Sequence, residues 1–294
     1  MSQMKKGFTL VEMIFVIAVT GVIVGMTFVQ VSQIYESLIQ KNYSSEIQNE
    51  ASIVSEQIVS RLSGALKNSL AGADTSSGGG CKGLSELSAG ESKNVLMWVA
   101  KSDESEKGIW DQNLSSYIGW SGLVDTKESS TTFTTPATNL ESVEDIIDSL
   151  TGETNSLSKT SSSPVAVYFH IGGEDSVQSA ETCNNFYNAI KLHQIKRDGL
   201  DKIVLLNETK MSDRYTLTHA AYAIERDDDK NLWLYRFRPW LSEKPSSDTN
   251  KILLARNVSK FGFKYDGAMF RINICLSKTL NGFEIEACKE RAVF

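Results

Sequence analysis

The chain has 294 residues, 41% of them apolar and 22% charged, with a net charge of −6. That balance supports a packed core and argues against a disordered tail, while the acidic excess argues against general nucleic-acid binding through a basic surface. The four cysteines lack paired C-x-x-C spacing and His170, His193 and His219 are scattered, so a zinc centre is not expected.

Residues 8–31 read FTLVEMIFVIAVTGVIVGMTFVQV, enough at ~1.5 Å per residue to cross a ~30 Å hydrocarbon core as a helix. Lys5 and Lys6 precede the run. The positive-inside rule therefore keeps the amino terminus cytoplasmic and sends everything beyond about residue 31 to the other side. Glu12 interrupts the apolar stretch. A carboxylate near the centre of a bilayer costs roughly 2 to 4 kcal/mol, which calls for a partner or for a place close to the interface. A secretory signal peptide accounts poorly for this segment, because the apolar core is too long, no A-x-A-like site follows and a carboxylate sits inside it. Gly21 and Gly25 have G-x-x-x-G spacing, which lets another helix approach closely. Each glycine also weakens a helix by about 1 kcal/mol relative to alanine, giving a place for local extension.

The block Lys5-Lys6-Gly7-Phe8-Thr9-Leu10-Val11-Glu12-Met13 resembles the amino-terminal signal of type IV prepilins and of the pseudopilins of type II secretion. The resemblance implies a leader at residues 1–7, cleavage by prepilin peptidase between Gly7 and Phe8, and methylation of the new amino terminus at Phe8. It implies as partners the peptidase, other pilins or pseudopilins met through the N-terminal helix, and an inner-membrane assembly platform. It also gives Glu12 a role in assembly. Cleavage would create an amine at Phe8, on the same helical face as Glu12, and in the family the carboxylate is thought to meet the amine of a neighbouring subunit. Pairing within one subunit is equally open to the geometry. Many major pilins carry a proline in the later half of this helix, and none stands here; that departure fits a minor pilin or pseudopilin better than a main filament subunit.

Beyond the membrane the helix continues. Ile47, Ala51, Val54, Ile58, Leu62 and Ala65 recur every three or four residues, the apolar face of an amphipathic helix, while Lys41, Glu46, Asn49, Glu50 and Gln57 lie off that stripe. The pattern predicts an extracytoplasmic helix within residues 32–70, ending near Asn68. Residues 71–163 turn rich in serine, threonine and glycine and read as a connector with short strands at residues 95–99 and 117–124. The run Gly78-Gly79-Gly80-Cys81-Lys82-Gly83 lacks the G-x-x-x-x-G-K-[ST] order of a phosphate loop.

Residues 164–294 are expected to form an antiparallel β head, giving an α+β fold of pilin-like plan: a long N-terminal helix packed on a C-terminal sheet. Leu232 to Phe237 and Tyr222 to Glu225 flank Arg226-Asp227-Asp228-Asp229-Lys230-Asn231, a hairpin with an acidic tip. Asp227, Asp228 and Asp229 are weak calcium candidates, since adjacent carboxylates cannot all face one ion. Asp266-Gly267 and Asn281-Gly282 are type I′ turn signals. A two-residue loop at the first pairs Tyr265 with Ala268, Phe263 with Phe270 and Phe261 with Ile272. The second pairs Leu280 with Phe283, Lys278 with Ile285 and Cys275 with Cys288. Together they place Phe261, Phe263, Phe270, Ile272, Ile274, Leu276, Phe283 and Ile285 on one side of a three-stranded meander, facing the helix. Cys275 and Cys288 fall on the other side at a non-hydrogen-bonded site, where Cα atoms ~4.5 Å apart suit a disulfide and an oxidising periplasm preserves it. Cys81 and Cys183 remain as a second pair by arithmetic alone. The order from the acidic-tip hairpin to the meander, over residues 215–276, is similar to W-type minor pilins and J-type pseudopilins.

These readings make the chain a pilin-like subunit, single-pass in the inner membrane with a periplasmic head. Its size and long connector favour a low-copy priming or tip role. No cofactor is expected. The competing classes are a membrane-anchored binding protein such as an adhesin and an anchored hydrolase; the second lacks any local G-x-S-x-G or H-E-x-x-H motif.

Overall fold

In a computed structural model the protein is described at residues 9–73, 81–83, 86–87, 93–111, 116–125, 131–159, 162–170, 190–206, 211–243, 250–266, 269–280 and 282–294. The fold is α+β, a helix of 54 residues (α1, Leu10–Ser63) followed by antiparallel sheets. At ~1.5 Å per residue α1 is roughly 80 Å long. Its apolar stripe does what amphipathic spacing dictates. Ile47, Ala51, Val54, Ile58 and Leu62 are buried, against a sheet formed by Val258–Tyr265, Phe270–Leu280 and Phe283–Ala292.

The helix stops earlier than the stripe implies. Gly64 caps it, Lys67–Ser69 forms a 3-10 turn, and the Leu66 N–H leaves the helical ladder to donate to the Val99 carbonyl at 2.9 Å. Ser69 completes the exit, its hydroxyl donating to the Leu66 carbonyl at 2.6 Å and accepting the Val99 N–H at 2.8 Å. Ala65, the last residue of the expected stripe, is bridged to Ala100 in the sheet.

The C-terminal sheet tests the two turn signals. The second hairpin has the expected register, Leu280 opposite Phe283 through Cys275 opposite Cys288. The first is displaced by two residues, with Tyr265 opposite Phe270, Phe263 opposite Ile272 and Phe261 opposite Ile274. The cause is local: the Asp266 carboxylate accepts the Met269 N–H at 2.8 Å, closing a loop wider than two residues. Because the side-chain period of a strand is two, a two-residue error keeps every side chain on its face. Phe261, Phe263, Phe270, Ile272, Ile274 and Leu276 are buried in the same core as α1.

The described residues of the 71–163 segment contribute strands to the folded head: Ala71–Ala73, Lys82–Gly83 and Val95–Ala100 belong to a six-stranded sheet in the order Lys251–Ala255, Leu232–Phe237, Ala220–Arg226, Val95–Ala100, Ala71–Ala73, Lys82–Gly83. Val95 to Val99 lies at its middle, with cores on both faces and every residue buried. A continuous apolar run with no alternation is the pattern of such a strand. At Gly72 a Cβ would stand 2.9 Å from a Phe263 ring atom and 2.5 Å from Leu87, so glycine is what lets the C-terminal sheet approach this one.

Tyr215–Thr218, Ala166–Phe169, His193–Arg197, Lys202–Leu205 and Thr132–Thr134 form a five-stranded sheet with its own core, which includes one face of a helix (α2, Leu140–Thr151). An Asn139 side chain accepting the Glu141 and Ser142 N–H groups starts that helix and Gly152, in the left-handed region, ends it, both standard boundary signals. Glu144 on its buried face accepts the Leu157 and Ser158 N–H groups and pairs with Arg197 at 2.6 Å. His219 alone separates the strand Tyr215–Thr218 of one sheet from Ala220–Arg226 of the other. It is buried against the Ser102 hydroxyl at 2.9 Å. Burial, assisted by the nearby Arg236 charge, pushes its pKa down to about 4.

Candidate functional site

Thr9 begins α1 in extended geometry and forms a capping box with Glu12. The Thr9 hydroxyl accepts the Glu12 N–H at 3.4 Å, and Glu12 Oε2 accepts the Thr9 N–H at 3.4 Å. The spacing Thr9-x-x-Glu12 carries this device in the sequence. Its carboxylate thus serves the free N–H groups at the helix start, where the helix dipole also favours a negative charge. Gly7 and Phe8, where cleavage and methylation are expected, lie outside the described residues.

From Leu10 to Leu38 the large apolar side chains are exposed, Leu10 at 77%, Phe15 at 69% and Phe28 at 75%. No other part of the described chain covers them. Gly21 and Gly25 have nothing within 4 Å of where a Cβ would stand, so among the described residues no helix of the same chain uses their spacing. Thr27 satisfies its own hydroxyl by donating to the Ile23 and Val24 carbonyls at 2.9 and 3.0 Å, as a polar group facing hydrocarbon must. The segment is long and apolar enough to cross a membrane.

Residues 2–28 match the family model of the prokaryotic N-terminal methylation motif. No curated protein and no solved structure matches the chain. The motif supports a type IV pilin-like precursor processed by prepilin peptidase, and with the apolar helix it supports membrane anchoring. The long helix and antiparallel sheets have the pilin-like α+β plan.

The other singled-out residues lie away from this segment. Cys275 and Cys288 oppose each other on the sheet face away from α1 and are joined in a disulfide, their Cα atoms 4.0 Å apart. With Glu286 they form the only cluster of three metal-ligating side chains among the described residues, and a disulfide leaves neither sulfur as a thiolate for a metal. Cys81 is buried and disulfide-bonded, whereas Cys183 lies outside the described residues. At the acidic tip Asp227 accepts the Asn231 N–H at 2.7 Å, Asn231 Nδ2 at 3.1 Å and Trp233 Nε1 at 2.7 Å. Burial works to raise its carboxyl pKa, but these hydrogen bonds hold it below the ordinary value. Asp227 is a turn staple, and it does not converge with Asp228 and Asp229 on one point as calcium ligands must.

Proposed function

We propose that this chain is a minor pilin-like or pseudopilin subunit. It is cut by prepilin peptidase between Gly7 and Phe8, methylated at Phe8, and built through the N-terminal half of α1 into a type IV pilus or type II secretion pseudopilus. The observation that carries this reading is the uncovered apolar half-helix with Glu12 at its head, on the segment that matches the methylation motif. An apolar surface of that extent is covered by lipid in the stored subunit and by neighbouring helices in a fibre. Glu12 then exchanges its cap on Thr9 for the Phe8 amine of the same or a neighbouring subunit. Gly21 and Gly25 favour close helix approach, and the disulfide Cys275–Cys288 suits a periplasmic head.

The folded part, with its separate sheets, is large beside the helix it rides on, and this favours a priming or tip position. In that position the chain acts as structure and recognition surface rather than as a catalyst. Mass spectrometry of the amino-terminal peptide from protein in its native membrane tests the reading. The expected peptide starts at N-methylated Phe8; a chain starting at Met1 beside an active prepilin peptidase overturns it. Deleting the gene and scoring motility, transformation and secreted protein then separates pilus, DNA-uptake and secretion systems.

A further inference from the structure

Where α1 ends, a cleft of about 470 Å³ opens between the helix, the segment 100–104, the end of α2 and the six-stranded sheet. That volume lies within the ~300 to 1,000 Å³ of small-molecule sites. Arg61 of α1 and Arg236 of the sheet both line it, with Tyr222 and His219 beside them. The third cation, Lys101, is already engaged, pairing with Asp103 at 3.5 Å and Glu106 at 2.5 Å and lying over the Trp120 ring. The two arginines have no ion pair among the described residues. Arg61 donates only to the Gln57 carbonyl of its own helix at 3.2 Å, and Arg236 only to the Leu150 carbonyl at 3.4 Å.

The two guanidiniums act on one place. Tyr222 and Arg236 are cross-strand partners. Burial raises the Tyr222 pKa, the charges of Arg236 and Arg61 act against that rise and the Glu104 carboxylate adds to it, so all three charges lie near the same phenol. Arg236 also lowers the pKa of His219. A guanidinium is a planar fork of donors whose geometry matches carboxylate and phosphate oxygens. The lining also holds Asp103, which pairs with Lys101, and Glu104. Glu104 and Arg61 are both exposed, so solvent and salt weaken the repulsion by the one and the attraction by the other alike, and the half-buried Arg236 is the stronger anchor.

We propose that this cleft binds a small molecule through one anionic group, a carboxylate, phosphate or sulfate, clasped between the Arg61 and Arg236 guanidiniums. The site belongs to the folded head and is independent of how the N-terminal helix is processed.

Inorganic phosphate, sulfate and citrate are titrated calorimetrically into the detergent-solubilised full-length chain at low ionic strength, with glycerol as the neutral control. At least one anion is expected to saturate a single site per chain, and the one that does identifies the chemistry. Arg236→Gln and Arg61→Gln are each expected to weaken it about tenfold or more, as loss of a charge-assisted hydrogen bond implies, with the melting temperature unchanged. Lys251→Gln, which removes a cation elsewhere on the sheet, is expected to leave binding intact. Failure of all three anions to saturate by ~10 mM, where binding is weaker than about 3 kcal/mol, overturns the proposal. So does binding that survives both arginine variants, or that falls equally with Lys251→Gln.

Discussion

The two halves of α1 belong to one unbroken helix and are built for different surroundings. In the covered half the stripe residues Ile47, Ala51, Val54, Ile58 and Leu62 are at most 4% exposed, with Ile53 left exposed off the stripe, whereas the large apolar residues from Leu10 to Leu38 are spread around the helix and at least 41% exposed. The first pattern specifies a partner within the chain, because only one face needs covering. The second specifies no face, and so requires surroundings that are apolar on every side. Helix propensity is common to both; the distribution of apolar residues decides where each half resides.

Truncating a buried side chain should separate the halves most strongly. Leu62→Ala removes a fully buried side chain from the core shared by α1 and the C-terminal sheet and should cost the head about 2 to 5 kcal/mol. Ile17→Ala, in the uncovered half, should leave head stability within about 0.5 kcal/mol. Denaturant unfolding of the full chain in detergent, followed by the fluorescence of the head tryptophans, measures both. Equal losses would mean that the halves are not energetically separate.

Acid should act on the head alone. The folded His219 pKa is about 4 against an ordinary 6.5, so between those values the unfolded state binds more protons and stability falls as pH falls. The contribution is full above pH 6.5, is lost progressively towards pH 4, and amounts to about 3 kcal/mol. Thermal melts between pH 7 and 4.5 should show the decline, and His219→Gln should flatten it. The helicity of the N-terminal half, followed by circular dichroism, should stay constant over the same range.

Overpacking sits next in size. Gly72→Ala drives a methyl group into Leu87 and Phe263, and should cost about 1 to 3 kcal/mol in the same melts. Phe263→Ala in the Gly72→Ala background makes room and should recover part of the Gly72→Ala loss relative to Phe263→Ala alone, a coupling that a double-mutant cycle reads directly.

The sequence made some of this architecture legible because the signals were local. The stripe Ile47 to Leu62 and the turn at Gly282 each fix geometry over a few residues, and both are seen in the fold. The first meander turn was displaced because Asp266 uses its side chain to close a wider loop, which the dipeptide Asp-Gly does not encode. The five-stranded sheet was missed. Strands such as Thr132–Thr134 and Tyr215–Thr218 are short and threonine-rich and meet partners far along the chain, so no window of sequence contains the pairing. At the candidate site Glu12 stood out by its charge, while its cap on Thr9 needed the spacing to be read as a pair.

The smallest expected effect concerns how the stalk is oriented on the head. Lys278 reaches across from the sheet to Glu46 at 3.0 Å and Glu50 at 3.2 Å, one turn apart on α1. Both carboxylates raise the Lys278 pKa, most of all through the hydrogen bond that Lys278 donates to Glu46. These groups lie at the surface, so Lys278→Ala should cost no more than about 1 kcal/mol and should be partly masked by salt. Its value is in direction: the pairs sit where the covered half of α1 begins, just beyond the uncovered half. If they hold the helix to the head there, hydrogen exchange of the amides around Glu46 should quicken in Lys278→Ala while those around Ile58 stay protected by the core. Uniform quickening along the covered half would instead make the helix a single cooperative unit with the sheet, with its docking set by the apolar stripe alone.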